Sequence, residues 1–123
     1  MPPSHKARLR RTRPGVIRLE IKGKAELLAA YIRLFREGGL FIPSTDAYQL
    51  GEEIYVLLTL PDETERYPVA GKVAWINPAR ASGNRPQGVG IRFPDNPAAE
   101  QLKAKIETTL GAALGSNVAT YTI

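Results

Sequence analysis

Apolar and polar residues alternate with period two in several short segments of this chain and recur with helical period in one long one. Val16-Ile17-Arg18-Leu19-Glu20-Ile21 puts Ile17, Leu19 and Ile21 on one side and Arg18 and Glu20 on the other, the pattern of a half-buried strand. Lys22-Gly23-Lys24 interrupts it. Ala25 to Glu37 carries both periods. Leu27, Leu28, Tyr31, Ile32, Leu34 and Phe35 fit helical spacing, while Tyr31 to Phe35 also alternates as a strand. A short helix near residues 25–30 followed by extended chain reconciles the two readings. Arg36-Glu37-Gly38-Gly39 then reverses the chain, because glycine tolerates the positive φ and the close backbone approach of a tight turn.

Leu40-Phe41-Ile42 reads as a short strand ended by Pro43, and Pro43 to Asp46 as loop chemistry. Glu52 to Leu60 is nearly continuous in apolar β-formers, which predicts a central strand buried on both faces. Pro61-Asp62-Glu63-Thr64-Glu65 is a hairpin turn. Arg66 to Ile76 returns as the partner strand, with Val69, Val73 and Trp75 on one parity and a bulge or bend expected at Gly71. Asn77 to Gly88 is a long surface loop, and Val89 to Phe93 alternates as a last strand. Asn96 as N-cap and Pro97 at the first helical position open a helix. Its Leu102, Ile106 and Leu110 recur every fourth residue, joined by Ala99 and Ala113, with Gly111 and Gly115 as stops.

Five to seven short strands and one terminal amphipathic helix predict an all-β fold: a small antiparallel β-barrel, which hides strand edges by closing on itself. No βα units alternate, so a parallel sheet is not expected.

Composition narrows the chemistry. The chain of 123 residues is read as one domain without cysteine, which excludes disulfides and thiolate metal sites. Its single histidine, His5, stands in a polar tail, so neither a zinc site nor a Ser-His-Asp triad is expected. No apolar run approaches the roughly 20 residues of a membrane span, and the basic N-terminus lacks the apolar core of a signal peptide. A cytoplasmic protein with no direct membrane insertion is the expectation. The net charge of +5 is a property of one end: residues 1–18 hold Lys6, Arg8, Arg10, Arg11, Arg13 and Arg18 and no acid. The division expected is a flexible basic arm over 1–14, a folded domain over 15–115 and a flexible tail over 116–123. Acids cluster as Glu52-Glu53 and as Glu63 with Glu65, in turn or strand-edge settings that suit solvation better than a catalytic pair. No Gly-Lys-Ser/Thr phosphate loop occurs. No enzyme and no cofactor is expected.

Four segments recur in a known order. They are Glu37-Gly38-Gly39-Leu40-Phe41-Ile42, Gly51-Glu52-Glu53-Ile54, Val69-Ala70-Gly71-Lys72-Val73-Ala74-Trp75 and Gly88-Val89-Gly90-Ile91-Arg92-Phe93. In order and spacing they resemble the PilZ domain family over roughly residues 15–110. The resemblance implies a small six-stranded antiparallel β-barrel with a following helix. It also implies cyclic di-GMP as the usual ligand, held by an Arg-x-x-x-Arg arm and an Asp/Asn-x-Ser-x-x-Gly turn. Gly39 matches the last glycine, but Leu34 stands at the Asp/Asn position and Arg36 at the serine. In the arm only the mixed pairs Lys6-x-x-x-Arg10 and Arg18-x-x-x-Lys22 occur, and lysine offers no planar bidentate fork.

These departures resemble the type IV pilus assembly branch of the family, as do Leu57-Leu58-Thr59-Leu60-Pro61 and Gly83-Asn84-Arg85. That resemblance implies a non-catalytic adaptor for pilus biogenesis and twitching motility, with the extension ATPase PilB and the EAL-domain protein FimX as partners. Candidate partner-binding residues are Leu28, Tyr31 and Phe35, apolar in a short segment, and Tyr121 and Ile123, apolar in a polar tail. Two alternatives are a cyclic di-GMP receptor rewired through Arg10, Arg11, Arg13 and Arg36, and a small basic barrel binding nucleic acid. The scattered aromatics argue against the second.

Overall fold

A computed structural model of the chain describes residues 16–80, 85–115 and 120–122. Alternation makes β1 (Ile17–Glu20), and the alanine-rich stretch makes helix α1 (Lys24–Ala30). Then follow β2 (Gly39–Pro43), β3 (Glu53–Thr59), β4 (Arg66–Asn77) and β5 (Gly88–Arg92). Helix α2 (Pro97–Leu110) comes last and runs into a 3-10 turn over Gly111–Gly115.

The strands form one five-stranded sheet in the order β1-β3-β4-β5-β2. Three of its pairings are antiparallel, but β1 runs parallel to β3, with Ile17 opposite Val56. Among the described residues the sheet is a mixed half-barrel of five strands, and the parallel β1–β3 pair corrects the expected all-antiparallel barrel. The physical reason lies in the connection. The chain leaves β1 through α1, runs up β2 and returns before β3, and a crossover of that length permits parallel pairing. Beyond β2, residue Tyr31 adds only an isolated bridge to Leu40 before the chain turns away.

One face of the sheet carries the core. Ile54, Val56 and Leu58 of β3 are buried beside Val69 and Val73 of β4 and Ile91 of β5. The other face of β3 is open: Tyr55 is 53% exposed and Leu57 half-buried, which corrects the expectation of a strand covered on both sides. The bulge also moves. It falls between Val73 and Trp75, not at Gly71. Gly71 serves packing instead, since a Cβ there would stand 2.6 Å from Ile91 Cδ1. The Leu60–Glu63 turn closes with Glu63 N–H donating to the Leu60 carbonyl over 3.2 Å, and Asp62 takes the left-handed φ of 61°.

Helix α2 starts where Asn96 Oδ1 accepts the Ala99 N–H at 2.8 Å. Its stripe of Ala99, Leu102, Ile106 and Leu110 is buried in the same core as Leu27, Leu40 and Phe41. Ile106 is fully enclosed. Truncating it as Ile106→Ala is expected to cost about 2–5 kcal/mol of unfolding free energy in urea titration. The exposed substitution Lys72→Ala on β4 is expected to cost within about 0.5 kcal/mol.

Candidate functional site

The corner at Gly38-Gly39 is held on both sides by backbone. Gly38 N–H donates to the Phe35 carbonyl at 2.8 Å, closing a turn over 35–38. Ile32 N–H donates to the Gly39 carbonyl at 2.9 Å, and Phe93 N–H to the Gly38 carbonyl at 3.0 Å. Gly38 has φ 85°, the left-handed region that side chains avoid. Gly39 is needed for space, because a Cβ would run into the Ile91 carbonyl oxygen and stand 2.7 Å from Phe35 Cδ2.

Around this corner the chain satisfies its own groups. The Arg92 guanidinium sits 4.9 Å from the centroid of the Phe35 ring, a cation–π contact, and Arg92 Nε lies 3.6 Å from Glu37 Oε1. Phe35 is half-buried between Arg92 and the Gly39 backbone. Leu34, at the tip, is 65% exposed and offers no polar atom. Arg36 is exposed and borders a cleft of about 210 Å³ with Glu37, Asp95, Glu100 and Lys103. That lining is of mixed sign with carboxylates in excess, a poor match for a phosphodiester.

The residues named from the sequence as partner contacts scatter. Leu28 is half-buried and packs on the core. Tyr31 is a core residue, so its ring is no docking contact; its hydroxyl donates to Glu107 Oε2 at 2.6 Å. Burial pushes that phenol well above its usual range, and the hydrogen bond and charge of Glu107 push it further. Tyr121 is not loose either. Its ring lies 5.3 Å from that of Phe41, its N–H donates to the Ala29 carbonyl at 2.9 Å, and Thr122 beside it is buried. Ile123, residues 116–119, the arm over 1–14 and Gly83-Asn84 lie outside the described residues.

Asn77 was not legible as a key residue. It is buried at the end of β4, where an asparagine reads as ordinary loop chemistry. Its Nδ2 donates to the Pro86 carbonyl at 3.0 Å and the Tyr121 carbonyl at 2.7 Å, while its Oδ1 accepts the Trp75 indole N–H at 2.7 Å. One amide thereby ties β4, the loop before β5 and the C-terminal residues.

The sheet with its terminal helix is a β-barrel-like fold; among the described residues no group of side chains is placed to hold a metal, and no helix is long and apolar enough to cross a membrane. A family model for the PilZ domain matches residues 6–110, and the chain belongs to that family. PilZ domains are in general non-catalytic binding domains, and membership places the chain in cyclic di-GMP signalling as an adaptor or a receptor. Comparison with curated proteins gave no match.

Two outcomes follow. Asn77→Ala leaves the part-buried Trp75 indole N–H and the Pro86 and Tyr121 carbonyls without their partner and is expected to lower stability by about 1–3 kcal/mol in urea unfolding. Tyr31 titrates above its unfolded value near pH 10, so the stability it contributes is complete below about pH 10 and lost as pH rises beyond it. The urea midpoint of the parent protein is therefore expected to fall more steeply above pH 10 than that of Tyr31→Phe. Tyr55 and Tyr67 are common to both proteins and cancel in the comparison.

Proposed function

We propose that this domain is an adaptor of type IV pilus biogenesis and twitching motility that acts through protein contacts and does not itself bind cyclic di-GMP. The observation that carries the reading is the occupancy of the glycine corner. Leu34 and Arg36 replace the two polar positions of the nucleotide turn, and Arg92 is already engaged by Phe35 and Glu37. A guanine edge set against Leu34 would lose hydrogen bonds at roughly 1–3 kcal/mol each. Two such losses remove between about one and four orders of magnitude of affinity.

In this reading the nucleotide signal is carried by a partner. The EAL-domain protein FimX would bind it, and the extension ATPase PilB would receive the adaptor. Isothermal titration of the full chain with cyclic di-GMP is expected to give no heat of binding, and micromolar or tighter binding would contradict the reading. Immobilised chain is expected to retain the purified extension ATPase without added nucleotide. Failure to retain it removes the pilus assignment.

A further inference from the structure

The half-barrel leaves its two end strands in different states. The edge of β2 is met by Tyr31, through the Tyr31–Leu40 bridge and the Ile32–Gly39 hydrogen bond. The far edge of β1 makes no backbone hydrogen bond among the described residues. Ile17 and Leu19 pack against the core, yet both stay half-buried. An edge strand with such groups is a template for pairing.

The other side of β1 has a defined charge. Arg18 stands opposite Leu57, and Glu20 opposite Thr59, which in turn faces Arg66 of β4. A cavity of about 310 Å³ opens beside β1, and the charged residues in its lining are Arg18, Glu20, Glu63 and Arg66. Neither Arg18 nor Arg66 makes an ion pair among the described residues. Glu63, by contrast, is committed: Lys105 Nζ lies 3.0 Å from its Oε2, and the Tyr67 hydroxyl donates to its Oε1 at 2.7 Å. The hydrogen bond from Tyr67, followed by the one from Lys105, holds the Glu63 carboxyl below its usual range. The cleft therefore presents two unengaged guanidiniums against one unengaged carboxylate. Five more basic residues, Lys6, Arg8, Arg10, Arg11 and Arg13, precede β1 in the sequence.

We infer that the free edge of β1 receives an extended acidic–apolar segment of a partner protein, added as a further strand to the sheet. Strand geometry sets the pattern of that segment. Successive side chains of an added strand point to opposite faces, so one set meets Ile17 and Leu19 and the alternate set meets Arg18 and the cleft. The first set is apolar and the second acidic. The edge is only four residues long, so carboxylate–guanidinium pairing supplies the selectivity that a short ladder cannot. The inference deepens the adaptor reading by naming the kind of partner segment, yet it stands on the β1 edge and not on the glycine corner.

The probe is a fluorescein-labelled synthetic peptide alternating leucine with glutamate, titrated with the full chain and read by fluorescence anisotropy. A matched peptide alternating leucine with lysine is the control. The glutamate peptide is expected to bind and to weaken with added salt, and the lysine peptide to bind at least tenfold more weakly. Arg18→Glu with Arg66→Glu, both on exposed positions, is expected to reduce affinity for the glutamate peptide at least tenfold with an unchanged circular dichroism spectrum. Arg66→Ala alone is expected to show a smaller loss in the same direction. Binding of neither peptide, equal binding of both, or affinity unchanged by the charge reversal overturns the inference. Cyclic di-GMP titration reads separately: heat there would overturn the proposed function and leave this result standing.

Discussion

The structure depends on how closely β2 can approach β5. Gly39 faces Arg92, Phe41 faces Gly90 and Pro43 faces Gly88, so every second pair in the register includes a glycine. A side chain on Gly39 or Gly88 would collide with the carbonyl oxygen of Ile91 or Ile42 respectively. This close ladder buries Leu40, Phe41 and Ile42 together and sets Phe41 where the tilted Tyr121 ring packs against it. It also carries Arg92 to Phe35 and Glu37. The family's glycine corner and the internal filling of that corner are thus two results of one steric condition.

Much of this architecture was legible from periodicity. Ile17 and Leu19 against Arg18 and Glu20 marked β1, and the fourfold recurrence of Leu102, Ile106 and Leu110 marked α2 together with its Asn96-Pro97 start. What periodicity does not encode is which strand lies beside which. The parallel pairing of β1 with β3 arises from the crossover path, and no residue within either strand announces it. The apolar run Ile54 to Leu58 was read as burial on both faces, whereas Tyr55 and Leu57 face outward. Gly71 was read as a bend because a glycine in a strand usually marks one, but here it makes room for Ile91.

The candidate site was legible in one respect and hidden in others. Leu34 and Arg36 were placed at the motif positions by the resemblance to the family, and both residues lie on the exposed turn. The engagement of Arg92 by Phe35 could not be foreseen, because it joins residues far apart in sequence. Asn77 was hidden for the same reason: its value comes from Trp75, Pro86 and Tyr121 meeting at one buried amide. Tyr31, named as a candidate partner contact because it is apolar in a short segment, lies in the core and donates its hydroxyl to Glu107 of a helix far along the chain, a contact that spacing within its own segment does not announce.

The glycine corner is filled by the chain's own Phe35, Glu37 and Arg92, and the proposed function places recognition on protein surfaces instead. Hydrogen exchange of the backbone amides of residues 33–39, with and without saturating cyclic di-GMP, addresses that claim at the corner itself. The account predicts identical exchange in both samples. Nucleotide-dependent protection of those amides would contradict it.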